Sequence, residues 1–192
     1  MQSHIGITGK GNVNSSTFKW EERECIALRN YYAKKVDLTD FRILDYQMPL
    51  KNINNDKEDG VDLIGTDGKN IYLLEYKRFI SKESLLRSAL EIYTYKKLLE
   101  NAKNKVCIDY NYPEGELLPA ILIMEGAEQY KSWKLHDSNS AIKKLIQTLG
   151  ISVFIIIPEK PFIEDDDMKV KLAATMPEFN FDLAIKDITE YE

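Results

Sequence analysis

The pattern of apolar and polar positions along the chain predicts an alternation of helices and short strands. Apolar residues with helical periodicity indicate amphipathic helices, and short apolar runs bounded by turn residues indicate buried strands. The predicted elements, in chain order, are a helix over 17–35, strands over 41–50, 61–66 and 70–77, a helix over 81–101, a strand over 118–124, a helix over 138–149 and a strand over 151–157. Because the strands are apolar on both faces, this order predicts one α/β domain whose sheet is covered by helices on both sides.

The segments on either side of these elements differ from them in composition. Residues 6–16 contain three Gly, two Asn and two Ser, so residues 1–16 are predicted to form a loosely attached N-terminal arm. Residues 17–157 form the predicted core of a single domain that spans 1–192. Residues 158–192 form a C-terminal extension, which offers a surface for a protein partner or for a second copy of the chain.

Two helices allow more detailed predictions. In the first helix, Phe18, Cys25, Tyr32 and Val36 lie on one face at about 100° per residue and are predicted to point into the core. The helix over 81–101 is predicted to begin at Ser81, because a serine hydroxyl is suited to cap the first turn.

The second and third predicted strands form a β-hairpin that carries three charged residues. The dipeptide Asp67-Gly68 between the strands favours a tight turn. Asp62 lies in the first of the two strands, and Glu75 and Lys77 lie in the second. Because side chains alternate along a strand, Glu75 and Lys77 share a face.

The sequence leaves two pairing registers open for this hairpin. A turn centred on positions 68 and 69 places Asp62 opposite Glu75, whereas a turn centred on positions 67 and 68 places Asp62 opposite Leu73. Both registers leave Asp62 on the face of Glu75 and Lys77, because a shift of two residues preserves the side. Three ionisable groups on one face of a buried hairpin are costly unless something pairs with them.

Two carboxylates beside a lysine suit the binding of a hard divalent cation. Mg²⁺ prefers oxygen ligands, often one or two carboxylates together with water and substrate phosphate. Such a cation acidifies its bound water and stabilises charge on a phosphorus atom under attack. A lysine two residues beyond a ligand is placed to hold the attacking water, to help deprotonate it or to neutralise the developing charge. The residues therefore predict a site for Mg²⁺, or for Mn²⁺ in its place.

The spacing of Asp62, twelve further residues and then Glu75-Tyr76-Lys77 resembles the core motif of the PD-(D/E)XK nuclease superfamily. The resemblance covers about residues 18–157 and implies a restriction-endonuclease-like core. In that fold a central mixed β-sheet is flanked by helices in the order α-β-β-β-α-β. The resemblance also implies that Asp62 and Glu75 bind the metal and that Lys77 serves the nucleophilic water. The backbone carbonyl of Tyr76 would be a further metal ligand.

The same resemblance implies functional residues on the two helices that flank the hairpin. Many superfamily members carry an acidic residue on the first helix, a place that Glu21 or Glu22 occupies here. Glu22 is slightly preferred because it lies closer to the apolar face. Some branches carry Gln-x-x-x-Tyr on the helix after the motif, where this chain has Glu91 and Tyr95. Arg87 shares a helical face with these two residues, and that face is expected to bind substrate, with Arg87 and Tyr95 touching its phosphates.

The expected function is that of a metal-dependent nuclease that hydrolyses phosphodiester bonds, with DNA as the expected substrate. A catalytically silent module with the same fold, which binds nucleic acid or another protein, is the alternative. A third hypothesis is that the three charged residues of the hairpin are only paired with one another. No secretory signal or membrane-length apolar run is visible, and the two cysteines lie in ordinary segments, so a cytoplasmic location without a membrane partner is expected.

The charge balance narrows how a nucleic acid would bind. The chain has 26 Lys and Arg against 31 Asp and Glu, a net charge of −5, which argues against binding through bulk positive charge. Bound divalent cations would offset part of this negative charge locally. The net negative charge therefore does not exclude nucleic acid as a substrate, but nucleic acid is expected to bind weakly without metal.

Overall fold

Six β-strands form one sheet in the order in which they follow one another along the described chain. The computed structural model describes residues 20–35, 41–50, 60–135, 140–159 and 182–190. The strands are β1 (Arg42–Pro49), β2 (Gly60–Thr66), β3 (Ile71–Lys77), β4 (Leu117–Met124), β5 (Ser152–Pro158) and β6 (Leu183–Asp187). The helices are α1 (Trp20–Ala33), α2 (Leu85–Leu98), α3 (Lys103–Asp109), α4 (Glu128–Leu135) and α5 (Ala141–Thr148), and a 3₁₀ turn covers Glu100–Ala102.

The sheet is mixed, with parallel strands in its centre. β1, β2 and β3 pair antiparallel, β3, β4 and β5 pair parallel, and β6 returns antiparallel to β5. Each parallel pair is joined by helices, because neighbouring parallel strands need a long crossover connection. The predicted α/β class with a mixed sheet flanked by helices is confirmed. The structure adds α3, α4 and β6 to the predicted elements, and β6 lies within the predicted C-terminal extension.

Helices cover both faces of the sheet and bury β3 completely. α1 packs on one face, against Tyr72, Leu74 and Tyr76 of β3, and α2 to α5 pack on the other face, against Ile71 and Leu73. All seven residues of β3 are buried. Each large apolar side chain removed from water in this way stabilises the fold by about 1.5–3 kcal/mol, so β3 is held from both sides.

The first helix buries the face that its periodicity predicts. Cys25 and Tyr32 are both buried against the sheet. Phe18 and Val36, the other two residues predicted for this face, lie outside the described residues, as does the predicted arm over 1–16. None of the helices that the structure describes has the length and apolar composition needed to cross a membrane.

The prediction that Ser81 caps the second helix is wrong. α2 begins at Leu85, and its cap is Ser84, whose hydroxyl accepts a hydrogen bond from the backbone N–H of Arg87 at 3.3 Å. Ser81 instead closes a turn, since its N–H donates to the carbonyl of Arg78 at 3.0 Å. The chain must turn away from the end of β3 before it can start a helix. That requirement selects the later of two serines with the same capping chemistry.

We expect Ile121→Ala to lower the free energy of unfolding by about 2–5 kcal/mol, because truncation of a buried isoleucine leaves a cavity. Ile121 is fully buried in β4 between two parallel neighbours. The matched change at Ile108, whose side chain on α3 is 58% exposed, should stay within about 0.5 kcal/mol of wild type. Urea unfolding of the two variants measures the difference, and equal losses would contradict this view of the core.

Candidate active site

The β2–β3 hairpin adopts the first of the two registers that the sequence allows. Thr66 pairs with Ile71, so the turn is centred on positions 68 and 69, and Asp67 accepts two backbone N–H hydrogen bonds within it. The described pairing of β2 with β3 ends at Leu63 and Leu74. Beyond this point the next residues along the two strands are the predicted metal ligands, one from each strand.

Asp62 is held by the main chain of the neighbouring strand. Its Oδ2 atom accepts a hydrogen bond from the backbone N–H of Tyr76 at 3.0 Å. A side-chain oxygen on β2 thus satisfies a backbone donor of β3 just beyond the last described strand pair. Asp62 is partly buried, and this bond fixes its carboxylate beside the end of β3.

Lys77 lies between two carboxylates. Its Nζ atom is 2.7 Å from Oε1 of Glu75 and 2.6 Å from Oε2 of Glu83. Glu75 and Lys77 are buried, and the Glu83 side chain is 34% exposed in the loop that leads to α2. Sequence reasoning missed Glu83, because it placed this loop in the first turn of a helix. Glu83 is the first acidic residue after β3, and its closeness in sequence to Lys77 is the one feature from which a contact between them could have been predicted.

Burial and like charge together shift the ionisation of the two predicted metal ligands. Burial is the main cause that raises the pKa of Asp62, and the negative charge of Glu21 raises it further. The hydrogen bond from the Tyr76 N–H and the positive charge of Lys77 lower this pKa in part. Burial also raises the pKa of Glu75, with the charge of Asp62 adding to it and Lys77 opposing it. The two carboxylates therefore favour the binding of a proton or of a cation.

Lys77 keeps its charge in this setting. Burial alone would lower the pKa of Lys77, but Glu75 and Glu83 outweigh burial and raise the pKa above its ordinary value. One ammonium therefore faces three carboxylates, those of Asp62, Glu75 and Glu83. The group as a whole carries more potential negative charge than Lys77 can balance.

Of the two acidic residues proposed for the first helix, Glu21 is the one that faces this group. Burial raises the pKa of Glu21, and the charges of Lys77 and Glu83 act on it next. Glu22 lies toward β1, where its charge acts on the Tyr46 hydroxyl. Both residues flank the apolar face of α1, so only the way in which α1 crosses the sheet decides which flank meets the end of β3. The structure therefore brings Glu21, and not the slightly preferred Glu22, to the site.

A second polar network lies on the opposite face of the same strand end. The Tyr76 hydroxyl donates to Oε2 of Glu24 at 2.7 Å, and Nε of Arg78 donates to Oε1 of Glu24 at 3.0 Å. Glu24 and Tyr76 are both buried. Sequence reasoning gave Glu24 no role, since it lies further round the helix than Glu21 and Glu22. This network ties α1 to β3 directly behind the site and so fixes the main chain of Tyr76.

The predicted substrate-binding face of α2 borders the site. The Tyr95 hydroxyl donates to Oε1 of Glu91 at 3.1 Å, and Arg87 lies 3.4 Å from Glu83. Burial is the main cause of the raised pKa of Asp62, and the negative charge of Glu91 also raises it. Glu91 therefore lies on the side of α2 that is nearer to Asp62. Residues 87, 91 and 95 line a shallow groove of about 490 Å³ together with exposed leucines of α2.

The chemistry of the donor set fits a hard cation with few protein ligands. Asp62 supplies a partly buried carboxylate and Glu75 a buried one, and the main chain of Tyr76 lies beside them. Within the described ranges, no group of three Asp, Glu, His or Cys side chains is arranged to hold a metal by itself. A cation here would therefore take two carboxylates and complete its coordination with water and substrate phosphate, which is the common pattern for Mg²⁺.

We expect Asp62 to contribute a loss of stability to the metal-free protein as the pH rises above the ordinary pKa of Asp, about 3.9. Folded Asp62 keeps its proton to higher pH than unfolded Asp62, so the folded state binds more protons in this interval. The contribution of Asp62 to the free energy of unfolding then falls as the pH rises. Asp62→Asn should remove this contribution and make the pH slope less negative, and Asp109→Asn on α3 is the control for a substituted carboxyl. Urea unfolding in a chelator at a series of pH values measures both, and an unchanged slope in Asp62→Asn would contradict the raised pKa.

The comparisons with known proteins add no relative on which a function could be based. No family model, curated protein or solved structure matches this chain. The grouping of Asp62, Glu75 and Lys77 at the end of the hairpin is therefore the basis for the function that follows.

Proposed function

We propose that this protein is a metal-dependent nuclease with a restriction-endonuclease-like fold, which hydrolyses phosphodiester bonds of nucleic acid and acts on DNA. The observation that carries the proposal is the grouping of Asp62, Glu75 and Lys77 on one face of the hairpin, just beyond the last described β2–β3 pair. An excess of desolvated carboxylates over ammonium groups suits a site that takes up a divalent cation.

The order of elements around the hairpin also supports the proposal. The motif lies on the second and third strands, with α1 on one face of the sheet and α2 on the other. This is the order that the superfamily resemblance implies. A motif in its expected structural context is a stronger indication of function than the motif alone.

In the proposed reaction, each residue has a distinct part. Asp62 and Glu75 would hold Mg²⁺, which when bound acidifies its water and stabilises charge on the phosphate. Lys77 is charged, so it would orient the attacking water and balance the charge that develops on the phosphate, since an ammonium cannot accept a proton. Arg87, with its side chain 67% exposed at the rim, would contact a neighbouring phosphate.

The surrounding charges imply that nucleic acid binds together with the cation. Glu21, Glu83 and Glu91 add negative charge around the two predicted ligands. Without a divalent cation this surface would repel a phosphate backbone. We therefore infer that metal and nucleic acid bind cooperatively at this site.

A catalytically silent binding module is the rival function, and one observation favours it. Lys77 already makes two short ion pairs, so the charged group is partly compensated by the protein itself. In that case the group would only stabilise the end of the sheet, and the groove on α2 would serve as a contact surface for nucleic acid or for a protein.

A measurement of metal binding distinguishes the proposed nuclease from the catalytically silent binding module. Isothermal titration calorimetry with Mg²⁺ and with Mn²⁺ should detect binding by the wild type, and Asp62→Ala should weaken it by at least about 10-fold because a ligand is lost. Asp109→Ala, which makes the same substitution at an acidic residue on α3, is the matched control and should bind as the wild type does. Binding that Asp62→Ala leaves unchanged would refute the site.

Cleavage assays test the reaction itself. The protein is incubated with Mn²⁺ and linear, circular or single-stranded DNA, or with RNA, and Lys77→Ala should cut at least about 100-fold more slowly than wild type. Lys105→Ala, an exposed lysine on α3, should cut at the wild-type rate. Cutting of circular DNA would identify an endonuclease. If no substrate is cut in a metal-dependent way, the binding module becomes the better interpretation.

A further inference from the structure

The Lys77 ammonium has two acidic partners at almost the same distance. Glu75 lies at 2.7 Å and Glu83 at 2.6 Å, and they approach from different elements, one from β3 and one from the loop before α2. A buried lysine that serves only as a structural ion pair needs a single carboxylate. Glu83 is therefore a second partner beyond the one that a simple ion pair requires, and its side chain is 34% exposed, so it is less desolvated than Glu75.

Glu83 is itself held firmly by the protein. The side-chain amide of Gln129, on α4, donates to the carbonyl of Glu83 at 2.9 Å and to the carbonyl of Ser81 at 2.8 Å. Gln129 is 2% exposed, so this clamp lies inside the protein. The Glu83 N–H donates to the hydroxyl of Ser81 at 3.3 Å, which closes the loop on itself. The loop therefore presents the Glu83 carboxylate to Lys77 from a fixed position.

The two partners differ in what a bound cation would do to them. Glu75 is a proposed metal ligand, and its negative charge would be shared with the cation, so its hold on Lys77 would weaken. Glu83 belongs to the loop before α2 and is not one of the proposed metal ligands. Its Oε2 atom would stay paired with Lys77 when Glu75 turns to the cation, while its Oε1 atom lies 3.4 Å from Arg87.

We propose that Glu83 is a positioning residue that retains Lys77 at the site when a divalent cation takes Glu75. This role rests on the proposed nuclease function, because it requires a cation at Glu75 and a Lys77 that orients the attacking water. Lys77 then has two states, shared between Glu75 and Glu83 without metal and held by Glu83 with metal. Gln129 supports both states by fixing the loop.

Removal of Glu83 has a consequence for metal binding as well as for catalysis. In Glu83→Gln the ammonium would pair with Glu75 alone and would compete with the cation for that carboxylate. We expect the affinity for Mn²⁺ to fall by about 10-fold, the scale found for residues that support metal ligands. At saturating Mn²⁺ the variant should have a lower kcat, since Lys77 is misplaced, whereas KM also depends on Arg87, which pairs with Glu83.

A double-mutant cycle on Mn²⁺ affinity tests this role without relying on activity. Calorimetry measures the dissociation constant for the wild type, Glu83→Gln, Lys77→Met and the double variant. In the Lys77→Met background, Glu83→Gln should change the affinity by no more than about twofold, because the competing ammonium is gone. Glu114→Gln, at an exposed glutamate in the loop between α3 and β4, is the matched control for the loss of one negative charge. Urea unfolding confirms that each variant folds.

The outcomes separate this role from the function on which it rests. A 10-fold loss that disappears in the Lys77→Met background would support the role of Glu83. If the wild type binds Mn²⁺ but Glu83→Gln binds it equally well, or if the loss persists without Lys77, the role is refuted and the nuclease proposal stands. If the wild type binds no Mn²⁺ at Asp62 and Glu75, the proposed function fails and this role fails with it.

Discussion

The structure around the end of β3 depends on the cost of placing two carboxylates next to each other out of water. Asp62 and Glu75 each have a raised pKa, for which burial is the main cause. The surrounding protein offsets that cost in two ways. The Tyr76 N–H binds one carboxylate, and the Lys77 ammonium binds the other. Neither removes the excess of negative charge, so a cation bound as the proposed function requires would stabilise this strand end.

The same strand end is secured from behind, and this makes the charged group possible. Glu24 joins the Tyr76 hydroxyl and the Arg78 guanidinium on the α1 face of the sheet, while the charged group lies on the α2 face. Because β3 is central and buried on both faces, its main chain cannot move to relieve the repulsion. A rigid strand with ionic networks on both faces is a suitable scaffold for groups that must stay close although they repel each other.

The proposed nuclease and its silent rival differ in what balances this charge. In the rival, Lys77 and its two partners are the final arrangement. In the proposed nuclease, Lys77 would be shared between Glu75 and Glu83 without metal and held by Glu83 alone once metal binds. The loop that carries Glu83 is clamped by Gln129 from α4, an element well separated in the chain. The short contacts of Lys77 therefore have opposite meanings in the two cases, and the metal affinity of matched variants distinguishes them.

The sequence by itself determined the α/β class, the hairpin and the shared face of Asp62, Glu75 and Lys77. These features follow from local periodicity and from a turn dipeptide, which act over a few residues. It did not determine the cap of α2, the edge strand β6 or the short helices α3 and α4, since each depends on contacts with distant parts of the chain.

Only the tertiary structure decided which residues surround the hairpin. Glu21 comes to the site, rather than Glu22, because of the way in which α1 crosses the sheet. Glu83 reaches the site because the loop after β3 turns toward Lys77. The hairpin that bears the motif is local in sequence, so its pattern is visible there. The charges that set its chemistry arrive from other elements, and their arrangement exists only once the helices have packed on the sheet.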